Sequence, residues 1–261
     1  MKKRKSKLAA TILSGVVLCG LLNPLPSEAA TKKQKQNLIS LPTIEYNQKQ
    51  KNAPLVFNGQ YRKIAFLTID DGPSKYSDQL IKILDQYNVP ATFFLIGSNI
   101  KLYPQYVKQF YERGDYVGMH SMTHNYNKLY TQGQIVKEMK ETQKLITEIT
   151  GEEPVLFRSP YGSSPGLSEK LRDQVAQAGL KTWDWSIDSN DWRHQNNPSQ
   201  IVAEIKRQLD KPVEIILIHD KKGTIEALPQ IIETIEAAGY EFAVYEESKH
   251  FMANFTKDKR I

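Results

Sequence analysis

The sequence predicts an α/β domain built on a parallel sheet. Three observations carry this. Short apolar runs recur between Tyr61 and Tyr245, amphipathic segments separate them, and chemically reactive residues follow the ends of five of the runs. Seven runs read as strands: 63–69 (KIAFLTI), 91–96 (ATFFLI), 115–119, 155–158, 181–187, 214–218 (EIILI) and 241–245. Helical periodicity lies between them. Ile135, Met139, Ile146 and Ile149 form one apolar stripe that stops at Gly151. Leu167, Leu171, Val175 and Ala178 form another, closed by Gly179. Over 224–238, Thr224 is the expected N-cap, Ile225, Leu228, Ile232 and Ile235 share a face, and Gly239 ends the helix. Strands alternating with helices put the helices outside a parallel sheet. Either a barrel or an open doubly wound sheet satisfies that pattern. The first strand runs into TIDDGP rather than a glycine-rich nucleotide loop, which argues against dinucleotide and P-loop folds. A barrel-like arrangement of seven strands is therefore favoured over eight.

Charge and composition bound the function. The chain of 261 residues carries a formal charge of +6, but Lys2, Lys3, Arg4, Lys5 and Lys7 supply most of it. Without residues 1–30 the excess of cations over carboxylates falls to two, so the basicity is not a nucleic-acid footprint. The single cysteine, Cys19, excludes an internal disulfide, a cysteine-rich zinc site and a CxxC pair. The five early cations, the apolar stretch from Leu8 to Leu22, then Pro24, Pro26, Ser27, Ala29 and Ala30 form the three-part pattern of an export signal. The alternative is an uncleaved membrane anchor. Leu18 before Cys19 is larger than lipid modification would require, so Cys19 reads as an apolar filler. The expected organisation is a signal over 1–30, a Lys/Gln/Asn-rich linker over 31–60, a domain over 61–250 and a tail over 251–261. The chain is expected to act as an exported monomer, in contact with a membrane only if the N-terminal segment stays attached.

The reactive residues gather at strand ends. Asp70 and Asp71 follow the first strand, His120 and His124 the third, and Arg158, Pro160 and Tyr161 the fourth. Asp188, Asp191 and Trp192 follow the fifth, and His219 and Asp220 the sixth. In a parallel barrel these ends open on one face, where active sites are built. A helical turn would bring His120 and His124, four residues apart, to one side. Two imidazoles and one carboxylate make a three-ligand site for Zn²⁺ with an open position, and could also hold Fe(II). Ser121 stands where the HExxH motif has its glutamate, so a general base must come from elsewhere. Asp70 and Asp71 offer one carboxylate for the metal and one for the base.

TIDDGP, HSMTH, RSPYG, DSNDW and LIHD occur in the order and approximate spacing of the polysaccharide deacetylases, the NodB-homology domain of carbohydrate esterase family 4. The chain resembles that family from about Lys63 to Tyr245, and within it is similar to bacterial peptidoglycan N-acetylglucosamine deacetylases. The resemblance implies a distorted (β/α) barrel and a hydrolase that removes acetyl groups from an N-acetylated polysaccharide with one divalent metal ion, zinc or alternatively cobalt. It implies Asp70 as general base, with Asp71, His120 and His124 as metal ligands. Arg158 is then expected to tune the base, and the Tyr161 N–H, beside Pro160, to help form an oxyanion hole. Asp191 is expected to pair with His219, the general acid, and Trp192 and Leu217 to line the acetyl pocket. Ile69 replaces the Phe of many members, a packing change that touches no reactive atom. Chitin-like oligomers, exopolysaccharide and acetylxylan are competing substrates, and a wall-binding protein with little turnover is the alternative from another class. Trp183 and Trp185 are expected to pack in the core or rim, His194 and His250 to lie at the surface, and the Tyr103, Tyr106 and Tyr111 group to serve packing. Asp188 and Asp220 are left without a role.

Overall fold

Side-chain parity along the strands explains where the core and the site lie. In the computed structural model, which describes residues 56–57 and 60–261, a short antiparallel pair, β1 (Val56–Phe57) and β2 (Gln60–Tyr61), precedes the main sheet. The sheet is built from β3 (Lys63–Asp70), β4 (Thr92–Leu95), β5 (Tyr116–Met119), β6 (Leu156–Phe157), β7 (Lys181–Thr182), β8 (Ile187–Asp188), β9 (Val213–His219) and β10 (Tyr240–Ala243). All its pairs are parallel. Seven strands follow the order β7-β6-β5-β4-β3-β9-β8, and β10 joins β3 off this path. The sheet curls into a half-barrel with helices around it, as in a distorted (β/α) barrel. The export signal expected over 1–30 and most of the expected linker lie outside the described residues.

β3 organises the sheet. One edge pairs with β9 from Ile64 to Asp70. The other edge is divided: Lys63–Phe66 pair with β10, and Thr68–Asp70 pair with β4. Ala65, Leu67 and Ile69 face the helices, while Ile64 and Phe66 face a second, inner cluster with Phe94, Leu156, Trp183, Ile215, Tyr245 and Phe251. Successive side chains on a strand point to opposite faces. The inner row therefore continues from Ile64 and Phe66 through Thr68 to Asp70, from Leu156 to Arg158, and from Ile215 through Leu217 to His219. On β5, Val117 and Met119 face outward, which turns Gly118 and His120 inward. A Cβ at Gly118 would meet the Leu156 carbonyl at 2.6 Å, so only glycine lets β6 come this close.

The outer layer comprises α1 (Ser77–Tyr87), α2 (Gly97–Leu102), α3 (Pro104–Arg113), α4 (Ile135–Thr150), α5 (Glu169–Gln177), α6 (Pro198–Gln208) and α7 (Lys222–Ala237). The predicted stripes are buried: Ile135, Met139 and Ile146 on α4, and Ile225, Leu228, Ile232 and Ile235 on α7. Gly151 ends α4 in the left-handed region, as its position after the stripe predicts. The start of α7 differs from expectation. The helix begins at Lys222, and the Thr224 hydroxyl bonds to a carboxylate from another loop instead of capping. Of the tyrosines expected to serve packing, Tyr106 packs on the main core, whereas Tyr111 is exposed.

The run 181–187 is the main departure from the predicted strands. It splits into β7 and β8, which lie at opposite edges of the sheet. Residues 183–186 cross the gap between the edges. Trp183 is fully buried and packs against Phe66, Tyr245 and Phe251. Its indole N–H donates to the Phe251 carbonyl at 2.9 Å. Residues 251–261, set apart as a tail on sequence, run along this gap. Trp183 pairs with Ala253 in a parallel bridge, and the Asp184 N–H donates to the Ala253 carbonyl at 2.7 Å. The strand breaks at Asp184, whose N–H bonds to the tail, while the Trp183 N–H still donates to Phe157 on β6 and the Ser186 N–H already donates to Ile215 on β9. Trp185 remains at the rim, edge-on to Phe255. His250 is half-buried, its Nδ1 hydrogen-bonded with the Tyr245 hydroxyl at 3.1 Å, so it is less free than a surface residue. Trp183→Ala is expected to lower stability by about 3–5 kcal/mol. Urea denaturation followed by circular dichroism checks this, and an unchanged midpoint would show that the gap closes without the indole.

Candidate active site

Four of the predicted residues reach the site by strand parity alone. Asp70, His120, Arg158 and His219 end the inner rows of β3, β5, β6 and β9, and Asp70 and His219 are direct neighbours in register. Asp70 is 2 % exposed and Arg158 is fully buried. Arg158 Nη1 donates to Asp70 Oδ1 at 2.9 Å and to the Thr68 hydroxyl at 2.7 Å. Its Nε donates to the Trp183 carbonyl at 3.1 Å and its Nη2 to the Asp184 carbonyl at 2.9 Å. Burial disfavours the guanidinium charge and lowers its pKa, while Asp70 and Asp184 oppose that shift. The group remains a cation at any pH at which the protein folds.

Asp71, His124, Asp191 and Tyr161 come from loops. Asp71, Ser121, His124 and Tyr161 all have positive φ, between 53° and 69°. The predicted helical turn over 120–124 is absent, because positive φ at Ser121 and His124 turns this segment into a loop. The two imidazoles still converge, with ring centroids 5.0 Å apart. Asp71, His120 and His124 each offer one ligand atom within 4.8 Å of the others. Asp71 Oδ1 lies 3.7 Å from His120 Nε2 and 3.6 Å from His124 Nε2.

Hydrogen bonds orient these rings. His120 Nδ1 faces the Arg158 carbonyl at 2.8 Å. A carbonyl can only accept, so Nδ1 carries the proton and Nε2 presents a lone pair. The Tyr161 hydroxyl donates to the His124 carbonyl at 3.0 Å and is then free to accept from His124 Nδ1 at 3.2 Å. Burial and the neighbouring His120 push the His124 pKa down to about 4, so this ring is neutral at neutral pH. Burial alone would raise the Asp71 carboxyl, but His120, His219, Lys221 and His124 more than offset it and hold its pKa at about 2. Asp71 Oδ1 is shielded from solvent with no hydrogen-bond partner, while Oδ2 lies 3.1 Å from Lys221 Nζ. An ionised carboxylate oxygen left bare between two imidazole lone pairs fits a divalent cation.

Beside this triad stands a second unit. Asp191 Oδ1 faces His219 Nδ1 at 2.6 Å, and Oδ2 accepts from the His219 N–H at 2.7 Å and the Thr224 hydroxyl at 2.6 Å. Burial opposes the His219 imidazolium, but the bond to Asp191 and its charge prevail and raise the pKa. Asp191 shifts the other way: its burial is outweighed by the bonds from His219 and Thr224, so its carboxyl is lowered. The aromatic walls differ in exposure. Tyr161 and Trp192 are 57 % and 47 % exposed, whereas Leu217 is buried on the inner row of β9. The Pro160 carbonyl accepts from the Tyr130 hydroxyl at 2.6 Å, which steadies the loop carrying Tyr161.

Several participants escaped the sequence reading. Thr68 was legible in principle, two residues before Asp70 on the same face. Thr224 was given a capping role instead. Lys221, Tyr130 and Asp184 carried no local signal. Burial pushes the Asp184 carboxyl up even though it accepts from the Ser163 and Phe255 N–H groups. Asp220, left without a role, accepts from the Ser74 and Ser77 hydroxyls and holds the loop after β3. Asp188 accepts from the Asn190 N–H within a tight turn.

Three carboxylates, three imidazoles and a buried guanidinium, gathered at the C-terminal ends of parallel strands, define a hydrolase with a place for a divalent cation. The chain belongs to the polysaccharide deacetylase family: residues 58–183 match the family described as polysaccharide deacetylase. It is 45 % identical over 251 residues to a peptidoglycan-N-acetylglucosamine deacetylase of Bacillus cereus, covering 92 % of this chain and 91 % of that protein. Its structure is similar to the crystal structure of the polysaccharide deacetylase Bc1974 from Bacillus cereus. The TM-score is 0.75 and the identity 48 %, over 77 % of this chain and 100 % of the other. It is also similar to the catalytic domain of peptidoglycan N-acetylglucosamine deacetylase from Eubacterium rectale, with TM-score 0.68 and 30 % identity, over 78 % and 96 % of the two chains.

Arg158→Met keeps much of the side chain's length but leaves Asp70 as a buried, unpaired carboxylate. The expected loss of stability at neutral pH is about 3–5 kcal/mol. Urea titration at neutral and mildly acidic pH checks this. The deficit should shrink at the lower pH, where the stranded carboxylate takes a proton on folding.

Proposed function

We propose that this enzyme removes acetyl groups from the N-acetylglucosamine units of peptidoglycan, releasing acetate, with one divalent metal ion held by Asp71, His120 and His124. Zinc is the first choice for two imidazoles and a carboxylate, with cobalt as the alternative. The observation that carries the reading is the pairing of Asp70 with His219 beside this triad. The two are direct neighbours in register, yet one carboxylate is tied to a guanidinium and the imidazole is tied to another carboxylate. One site thus holds a proton acceptor and a proton donor side by side. The similarity to the Bacillus cereus enzyme across nine-tenths of both chains supports peptidoglycan as the substrate.

The bound cation would supply a Lewis acid for the acetyl carbonyl and make a water molecule more acidic. Asp70 takes the proton from the attacking water. Arg158 occupies its Oδ1 and leaves Oδ2 on the side of His120, 3.7 Å from Nε2. The Tyr161 N–H donates to the oxyanion as the carbonyl carbon becomes tetrahedral. Pro160 fixes the turn that presents this N–H, and Trp192 and Leu217 enclose the acetyl methyl. The C–N bond then breaks. His219 gives its Nε2 proton to the departing sugar amine, and Asp191 holds the Nδ1 proton and steadies the imidazolium. The pattern over 1–30 supports export to the cell envelope, where peptidoglycan lies.

Acetate release from purified peptidoglycan, chitin oligomers and acetylxylan, with and without added Zn²⁺, tests the substrate and the metal together. Asp70→Asn is expected to keep the metal, counted by elemental analysis, and to lose about 10²-fold or more in turnover. Asp71→Asn is expected to lose metal instead, with partial rescue by excess Zn²⁺. If the two variants exchange phenotypes, the roles of base and ligand are reversed.

The raised His219 pKa sets the alkaline limb of activity, because the proton donor is lost as pH rises through that value. Asp191→Asn removes the charge that raises it. The alkaline limb of the pH–rate profile should move to lower pH by about 1–3 units, together with a fall in kcat. An unmoved limb would show that another group supplies the proton.

A further inference from the structure

We propose that Glu138 is a positioning residue for the metal triad, acting through the backbone between His120 and His124. The inference rests on the triad being the metal site. Glu138 lies in the first turn of α4 and is 6 % exposed. Its carboxylate reaches the loop that joins the two histidines. Oε2 accepts from the Met122 N–H at 3.1 Å and the Thr123 N–H at 3.0 Å, and both oxygens lie 2.9 Å from the Thr123 hydroxyl. A buried carboxylate is costly unless donors surround it, and here the loop supplies them.

The backbone accounting of residues 121–123 shows what depends on this. The Ser121 and Met122 carbonyls accept from the N–H groups of Gly97 and Ser98 at the start of α2. The Ser121 N–H faces Met139 Sδ at 3.2 Å, and the next two N–H groups go to Glu138. The loop is thus clamped between the first turns of two helices. The loop has no secondary structure of its own to supply these bonds, so the course of the chain from His120 to His124 is set from outside it. His120 does not need this clamp. Its N–H donates to the Leu95 carbonyl, and its ring is fixed by the Arg158 carbonyl. His124 follows the loop directly, in the left-handed region, with its N–H on the Ser121 hydroxyl. Glu138 therefore places His124 Nε2 relative to Asp71 and His120 without touching metal or substrate.

The test compares the full chain with Glu138→Leu and Glu138→Gln. Zn²⁺ affinity is measured by competition with a chromophoric chelator, and folding by circular dichroism. Glu138→Leu is expected to bind Zn²⁺ about 10–100-fold more weakly. Glu138→Gln is expected to stay within about threefold of wild type, because the amide oxygen can accept both N–H groups and its NH₂ can donate to the Thr123 hydroxyl. In a His124→Ala background, Glu138→Leu should add no further loss, whereas in His120→Ala it should still weaken binding. A folded Glu138→Leu protein with wild-type affinity overturns the proposal, as does an equal further loss in both histidine backgrounds. If Glu138→Leu does not fold, Thr123→Val, which removes only the hydroxyl donor, should weaken Zn²⁺ binding severalfold, and wild-type affinity there overturns the proposal too. If His120→Ala and His124→Ala bind Zn²⁺ as wild type does, the metal-site reading itself has failed.

Discussion

The Arg158 guanidinium sits at the place where the curled sheet fails to close. The two edge strands are linked by residues 183–186, and the carbonyls of Trp183 and Asp184 in that link accept from Nε and Nη2. The other branch of the fork reaches across the interior to Thr68 and Asp70 on the central strand. One planar cation therefore ties the gap to the centre of the sheet and fixes a carboxylate oxygen of the reactive face. Burying such a charge is affordable only because its donors meet two carbonyls, a hydroxyl and a carboxylate, and because its plane lies 4.4 Å from the Phe94 ring. The barrel and the site are stabilised by the same group.

The partners chosen by the two neighbouring inner residues separate their chemistry. Asp70 and His219 stand in register on adjacent strands, where an acid and a base could simply pair with each other. Arg158 engages the first and Asp191 the second, so each keeps a reactive atom free. Asp71 is handled differently. Its Oδ1 is shielded without a hydrogen-bond partner, while its Oδ2 lies beside Lys221. With His124 held neutral, the three imidazoles and three carboxylates do not collapse into a closed salt-bridge network. The site retains donor atoms that could hold a cation.

Left-handed backbone at Asp71, Ser121, His124 and Tyr161 turns side chains or N–H groups back over the sheet. Each departs from the conformation its residue type prefers, and outside contacts retain it. Asn99 donates to the Asp71 carbonyl at 2.7 Å, Ser121 accepts the His124 N–H, and Tyr130 holds the Pro160 carbonyl. These four residues lie in loops, but their supports come from the surrounding helices and the neighbouring turns.

The sequence by itself determined the seven apolar runs, their parallel order, the helical stripes and the gathering of Asp70, His120, Arg158 and His219 at strand ends. These rest on local periodicity: a strand alternates every residue, so the inner face can be counted from an apolar core to a polar tip. The five spaced motifs added the family. Tertiary structure alone decided the rest. It split the run 181–187 across two edges, because the Trp183 and Asp184 carbonyls bond to Arg158 and the Asp184 N–H bonds to Ala253, distant in sequence. It made Thr224 a partner of Asp191 rather than a cap, because the loop carrying Asp191 lies over the start of α7. It brought His120 and His124 together through a loop rather than a helical turn, because backbone groups between them bond to α2 and α4. In each case the deciding bond joins residues far apart along the chain, and no local pattern records which distant donor will arrive.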